Sequence, residues 1–160
     1  KSNLPIEKFE FTLIDADKEA ISYSQERITN LLKRSDRRPK VNFVNKAVDQ
    51  IIKEKDLFDN LGKYDLIYSV GLFDYLTVNL SKRVTKTLYH FLKSNARLII
   101  GNFNLSTDES RTYMDFVLEW YLLYRSEAEM LKFTEKLENP KKVYFEKDST
   151  GLTNFLIIEK

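Results

Sequence analysis

KYDLIYSVGLFDYLTVNLSKRVTKTLYHFLKSNARLIIGNFN, residues 63–104, is the stretch whose reading decides the fold. Tyr64–Ser69 carries no charge after Asp65, and Ala96–Phe103 none after Arg97. Near-continuous apolar runs of this length predict parallel strands covered on both faces. Between them Leu80, Val84, Leu88, Phe91 and Leu92 recur at helical spacing, which predicts one apolar stripe laid on a sheet. Strand, helix and strand at this spacing make a right-handed crossover unit, in which ligands sit at the carboxyl ends of the strands. Those ends are Ser69-Val70-Gly71-Leu72-Phe73-Asp74-Tyr75 and Gly101-Asn102-Phe103-Asn104, and they form the predicted rim of a site.

Upstream the same alternation repeats. Phe9–Ile14 reads as a strand, and Asp17 is placed to cap a helix carrying Ala20, Ile21, Ser24, Ile28 and Leu31-Leu32. Asp15 has two readings: a carboxylate at a parallel strand's end that accepts ribose hydroxyls, or a turn acid. The basic run Lys33–Lys40 reads as a solvated connection, with Pro39 imposing an extended approach to the strand Val41–Val44. Gln50 to Phe58 is helix-like, and Gly62 is a plausible stop. Alternating strands and helices over this length mean a doubly wound, mostly parallel sheet.

Downstream the texture changes. Ser106-Thr107-Asp108-Glu109 has the form of a capping box. The helix it would open carries Tyr113, Phe116, Trp120, Tyr121, Tyr124 and Arg125, so an aromatic helical insertion is expected over about 106–138. Its second apolar face would meet another helix or a missing part of the chain, or would roof a substrate pocket. Lys142–Glu146 and Asn154–Glu159, joined through Asp148-Ser149-Thr150-Gly151, read as a terminal antiparallel hairpin.

The bulk properties exclude several classes. With 160 residues the chain suits one domain, and a net charge of +2 implies no nucleic-acid partner. There is no cysteine and one histidine, His90, so disulfides, thiolate catalysis and Cys-based metal sites are ruled out, and no metal site is expected. No long apolar run is present to read as a signal peptide or membrane span, and a cytoplasmic enzyme or binding domain is the expectation.

A doubly wound parallel sheet closed by an antiparallel hairpin resembles the class I S-adenosylmethionine (SAM)-dependent methyltransferases, a Rossmann-like family. Phe11–Ala20 is similar to the family's second strand and acidic ribose-binding loop, and Val41–Asp49 to its third strand and adenine loop. Tyr64–Ser69 and the unit ending Leu98–Asn102 are similar to its fourth and fifth strands. Together these cover nearly the whole chain. Tyr68–Leu76, Ile100–Phe103 and Tyr113–Leu122 further resemble a bacterial branch similar to the methyltransferases that form 3-hydroxy fatty-acid methyl esters.

The resemblance implies SAM as cofactor and S-adenosylhomocysteine (SAH) as product. It places Asp15 and Ala16 on ribose, Ala47, Val48 and Asp49 around adenine, and Ser69, Val70, Gly71 and Phe73 beneath the methionine end. The acceptor would be a small molecule, on the branch resemblance the carboxylate of a hydroxy fatty acid. Such a carboxylate is already ionised and needs no general base. Arg111 and Arg125 are the candidate guanidinium partners for it, and Tyr75 and Asn102 the candidates to orient it.

One departure is large. The family's glycine-rich loop after its first strand is absent, and the four glycines, Gly62, Gly71, Gly101 and Gly151, are far apart. In the family that first strand lies between the second and fourth, so its absence would leave a gap of about 9–10 Å with unpaired edges inside a core. The expectation is therefore that these residues are the C-terminal part of a methyltransferase-like domain, completed by an N-terminal segment of the same protein. A catalytically inactive binding module and a nicotinamide-type oxidoreductase stand as alternatives, and homo-oligomerisation stays open.

Overall fold

The computed structural model describes residues 5–36, 38–53, 63–105, 112 and 114–160. The chain divides after Lys53 into two compact units. In the first, strands β1 (Glu10–Asp15) and β2 (Lys40–Asn45) pair in parallel, with Glu10 opposite Lys40 and Asp15 opposite Asn45. Helix α1 (Lys18–Lys33) crosses between them, and α2 (Val48–Lys53) follows β2. The Asp17 side chain caps α1 by accepting the backbone N–H of Glu19 at 2.8 Å and of Ala20 at 3.4 Å, the cap expected from its position. The burial is thin: among described residues of this unit only Ile21 and Ile51 count as core.

The second unit holds a four-stranded sheet in the order β3 (Tyr64–Val70), β4 (Leu92–Phe103), β6 (Thr153–Glu159), β5 (Lys142–Lys147). β3 and β4 are parallel; β4–β6 and β6–β5 are antiparallel, so the expected terminal hairpin is present and extends a parallel pair. The crossover helix α3 (Val78–His90) is capped by Thr77 and presents Val84 and Leu88 to the interior. Leu98, Ile100, Leu156 and Ile158, alternating along the two central strands, are fully buried. No helix among the described residues is long and apolar enough to cross a membrane.

Three expectations are corrected. α3 stops at His90, so Leu92 is strand, opposite Tyr64, rather than part of the helical stripe. The carbonyls at that helix end are taken up by ammonium groups instead of a further turn. Lys160 Nζ donates to the carbonyls of Tyr89, His90 and Leu92 at 2.9–3.1 Å, and Lys63 Nζ donates to His90 at 2.8 Å. β4 therefore starts four residues earlier than expected, and a bulge separates the Tyr64–Leu92 pair from the Leu66–Arg97 pair, with Asn95 at φ 65°.

The second correction concerns cover. β3 is not enclosed on both faces: Leu66, Tyr68 and Val70 are 50%, 70% and 60% exposed, and β4 is its one strand neighbour among the described residues. Among the described residues β1–β2 and β3–β4–β6–β5 are separate sheets, in keeping with the gap expected where the family's first strand is absent. Third, no helix runs through the aromatic segment. Helix ends at residue 116, and 119–124 has no regular structure. Glu119 sits at φ 50°, a left-handed conformation that breaks helical continuation, and the N–H of Trp120 reaches back to Met114 O at 2.9 Å. The helix resumes only briefly as α4 (Glu127–Leu131), opened by a capping box between Ser126 and Glu129. The box expected at Ser106–Glu109, the stop at Gly62 and the helix beyond Lys53 lie outside the described residues.

Candidate active site

In the first unit the candidate residues gather at the C-terminal end of a parallel strand. β1 extends to Asp15, whose exposed carboxylate accepts the Asp17 N–H through Oδ1 at 2.9 Å. That turn holds its carboxylate at the strand mouth, with the acid's two readings both compatible with the bond. Its neighbour across the ladder, Asn45, fixes the loop from the other side. Asn45 Nδ2 donates to the carbonyls of Asp15 and Ala16 at 3.0 and 2.9 Å. Ala47 N–H is taken by Gln50 Oε1 at 2.9 Å, and Asp49 pairs with Lys53 at 3.2 Å, a contact that lowers its pKa. Ala16 and Asp49 are exposed; Ala47 and Val48 are half-buried. A strand-end acid, a pinned backbone turn and a neighbouring half-buried loop can hold the sugar and base of a nucleoside, which suits the adenosine part of SAM.

In the second unit β3 ends at Val70 and β4 at Phe103, which puts the residues expected on the rim at the carboxyl ends of these strands. Gly71, at φ 93°, turns the chain out of β3 as few other residues could. Gly101 is opposite Val70, and a Cβ there would lie 3.2 Å from the Phe155 ring. Ser69 is half-buried and Val70 exposed. Phe73 is buried, its ring 5.6 Å from that of Phe133, so its side chain belongs to the core and only its backbone faces other groups.

Arg125 is placed differently from the expectation that set it on a helix. It is 4% exposed. Its Nη1 donates to Phe73 O at 2.7 Å and to Asn102 Oδ1 at 2.6 Å, and Nη2 donates to Leu76 O. The guanidinium also lies 5.4 Å over the Phe133 ring. It is spent on tying the loop after β3 to the end of β4. Asn102, fully buried, completes the tie by donating to Phe103 O at 3.1 Å and Leu123 O at 2.9 Å. Burial lowers the Arg125 pKa, opposed by the charges of Asp74 and Glu129. Arg111 lies outside the described residues.

Asp74 was not singled out from the sequence. It is 2% exposed, and its Oδ1 accepts the Phe103 N–H at 2.8 Å. Burial raises its pKa, against the lowering influence of that hydrogen bond and of Arg125. The signal was an acid inside the apolar run Val70–Leu76. Tyr75, by contrast, is 54% exposed on the rim, and its phenol oxygen accepts the Trp120 indole N–H. Phe103 packs its ring against Trp120 and Tyr124, at 6.4 and 6.2 Å.

No protein-family model matches the chain, and no curated protein matches it. Solved structures do. Magnesium protoporphyrin IX methyltransferase of Synechocystis PCC 6803, crystallised with SAH, superposes with a TM-score of 0.62 at 12% identity, covering 93% of this chain and 63% of that one. The N-methyltransferase NodS of Bradyrhizobium japonicum WM9, also with SAH, gives 0.56 at 17% identity over 92% of this chain and 64% of its own. A protein of Bordetella parapertussis described as an exported candidate gives 0.67 at 17% identity, with 52% of its length covered. The chain therefore has the α/β fold of these structures and spans between 52% and 64% of their length.

Proposed function

We propose that the protein is a SAM-dependent methyltransferase acting on a small-molecule acceptor, with SAH as product. The observation that carries this is Asp15, held by its turn and by Asn45 at the mouth of a parallel strand, in a fold whose neighbours include enzymes crystallised with SAH. Asp15 and Ala16 would take the ribose, Ala47, Val48 and Asp49 the adenine, and Ser69, Val70, Gly71 and the Phe73 backbone the methionine end. When bound, the sulfonium supplies an electrophilic methyl group. The protein's share of such an in-line displacement is positioning and the exclusion of water. The terminal antiparallel hairpin favours this reading over a nicotinamide-dependent oxidoreductase.

β1 and β3 each have one strand neighbour among the described residues, and both carry half-covered or exposed apolar side chains. Free edges of this kind support, as part of the same proposal, a further strand with a glycine-rich loop contributed by an N-terminal segment of the polypeptide. A cytoplasmic, bacterial setting belongs to the proposal as well. The hydroxy fatty-acid acceptor keeps support for its acyl chain in the exposed apolar residues beside Tyr75. Its carboxylate loses Arg125 as a partner, because that guanidinium is buried and engaged.

Isothermal titration with SAH, on a polypeptide that includes any upstream residues, tests the reading. Binding is expected, with a loss of about tenfold or more in Asp15→Ala, since a charge-assisted pair of ribose hydrogen bonds would go. No heat at millimolar SAH would overturn it in favour of an inactive binding module.

A further inference from the structure

Residues 116–123 expose an apolar surface and are tied to the strand ends at Trp120 and Leu123. Phe116 and Tyr121 are 83% and 74% exposed, and Val117, Leu118, Trp120 and Leu123 are also exposed. Part of their backbone is bonded to the rim. Leu123 N–H donates to Asp74 O at 2.8 Å, and Leu123 O accepts from Asn102 at 2.9 Å. The Trp120 indole is clasped to the Tyr75 phenol, and its ring meets the edge of Phe103 at the end of β4. The strip is thus anchored to the same strand ends that form the rim. Isolated exposed apolar side chains need no explanation, but a contiguous, anchored set beside a rim marks a binding surface.

Its charge narrows the occupant. Asp115 and Glu119 are the only charged residues in the sequence between 112 and 124. The nearest cation in sequence among the described residues, Arg125, is buried and bonded to Phe73, Leu76 and Asn102. An anionic ligand laid on the strip would lie beside the like charges of Asp115 and Glu119, whereas a neutral apolar one would gain from contact with aromatic faces.

We propose that residues 116–123, clasped through Trp120 to Tyr75, form the wall that selects the methyl acceptor, and that this wall takes a neutral, apolar acceptor body. The inference rests on the methyltransferase reading and names the substrate class of that same rim. Tyr75 and Trp120 are its specificity-determining residues.

Trp120 is the single tryptophan of the chain, so its emission reports on the strip directly. The protein is titrated with straight-chain alcohols from butan-1-ol to octan-1-ol, and with octanoate at pH 8. A blue shift is expected, with binding about fourfold tighter for each added methylene, the equivalent of about 0.8 kcal/mol. Octanoate should bind about tenfold or more weakly than octan-1-ol, because its charge would be desolvated beside Asp115 and Glu119. Tyr75→Phe, which keeps the ring and removes the clasp, should shift the starting emission and weaken octan-1-ol. Trp120→Phe, folded by circular dichroism, should abolish the signal. A flat chain-length series, or octanoate binding as tightly as octan-1-ol, would overturn the proposal. SAH titration is read separately: a silent SAH titration beside a normal alcohol series sinks the cofactor and not the wall, and the reverse sinks only the wall.

Discussion

The two sheets are built from similarly apolar strands and end with very different cover. In β1 and β2, Phe11, Leu13, Ile14, Val41, Phe43 and Val44 supply the apolar content, yet no residue of either strand is buried. In β4 and β6, Leu98, Ile100, Leu156 and Ile158 have no exposed surface at all. Hydrophobicity does not separate the two cases. Position does: β4 and β6 each lie between two strands, whereas β1, β2 and β3 each have one neighbour among the described residues. β3 makes the point most sharply, because it belongs to the well-packed unit and still exposes Leu66, Tyr68 and Val70. An apolar strand thus states that cover is wanted; the number of its neighbours decides whether it is obtained.

The strongest way to break this comparison is to truncate one large aromatic in each unit. Phe133, fully buried against Phe73 and beneath Arg125, should cost about 3–5 kcal/mol as Phe133→Ala. Phe11 is 38% exposed and stacks on Phe9 at 6.1 Å, so Phe11→Ala should cost about 1 kcal/mol. Urea unfolding followed by circular dichroism measures both. Equal costs would show that exposure misrepresents how the first unit is stabilised. A rise in the Phe11 cost in a longer polypeptide is what a covering strand would produce.

Next in size is the tie between the loop after β3 and the end of β4. Arg125→Met keeps an apolar chain over Phe133 and removes the donors to Phe73 O, Leu76 O and Asn102 Oδ1. Buried acceptors left without donors make this expensive, about 2–3 kcal/mol in the same urea experiment. If Arg125 served a ligand instead of the fold, the variant would unfold at the wild-type midpoint. A shifted midpoint therefore distinguishes the structural role from the acceptor-binding role expected of an exposed arginine.

Arg125 also shows where the sequence was legible and where it was not. The crossover unit, the terminal hairpin, the Asp17 cap and the ends of β3 and β4 could be read, because alternation, helical spacing and capping chemistry are local patterns. The aromatic segment could not. Phe116, Trp120 and Tyr124 recur at helical spacing, but the chain turns at a left-handed Glu119 and the Trp120 and Tyr124 rings are placed by Tyr75 and Phe103, none of which periodicity reports. Asp74 and Arg125 were opaque for the same reason. Apart from Asn102, the partners named for them are backbone groups of Phe103, Phe73 and Leu76, and a backbone group leaves no mark in a sequence. Leu92 was assigned to the helix because an apolar residue suits a helix stripe and a strand start alike. The lysines that terminate α3, Lys63 and Lys160, lie 97 positions apart in the chain.

The smallest effect sharpens the comparison at a single cap. Ser126 Oγ accepts the Glu129 N–H at 3.3 Å, and Glu129 Oε2 accepts from Ser126 N–H and Oγ–H at 2.9 Å each. The Ser126 backbone bond, followed by the Ser126 hydroxyl, lowers the Glu129 pKa in the folded state. A carboxylate lowered in this way stabilises the fold above its unfolded value of about 4.3, and that contribution is lost as pH falls through the folded value. Ser126→Ala should therefore cost about 1 kcal/mol at pH 7. The cost should shrink as the pH is lowered below about 4, because a protonated Glu129 no longer gains from the hydroxyl that the variant lacks. Asp74, raised by burial, acts with the opposite sign: its contribution is complete below about 3.9 and is lost as pH rises through its folded value. Urea midpoints of wild type and Ser126→Ala between pH 3 and 7 separate the two groups, since the Asp74 contribution cancels in the difference and the Glu129 contribution does not. A cost independent of pH would mean that the cap works through the Ser126 hydroxyl and the Glu129 backbone alone.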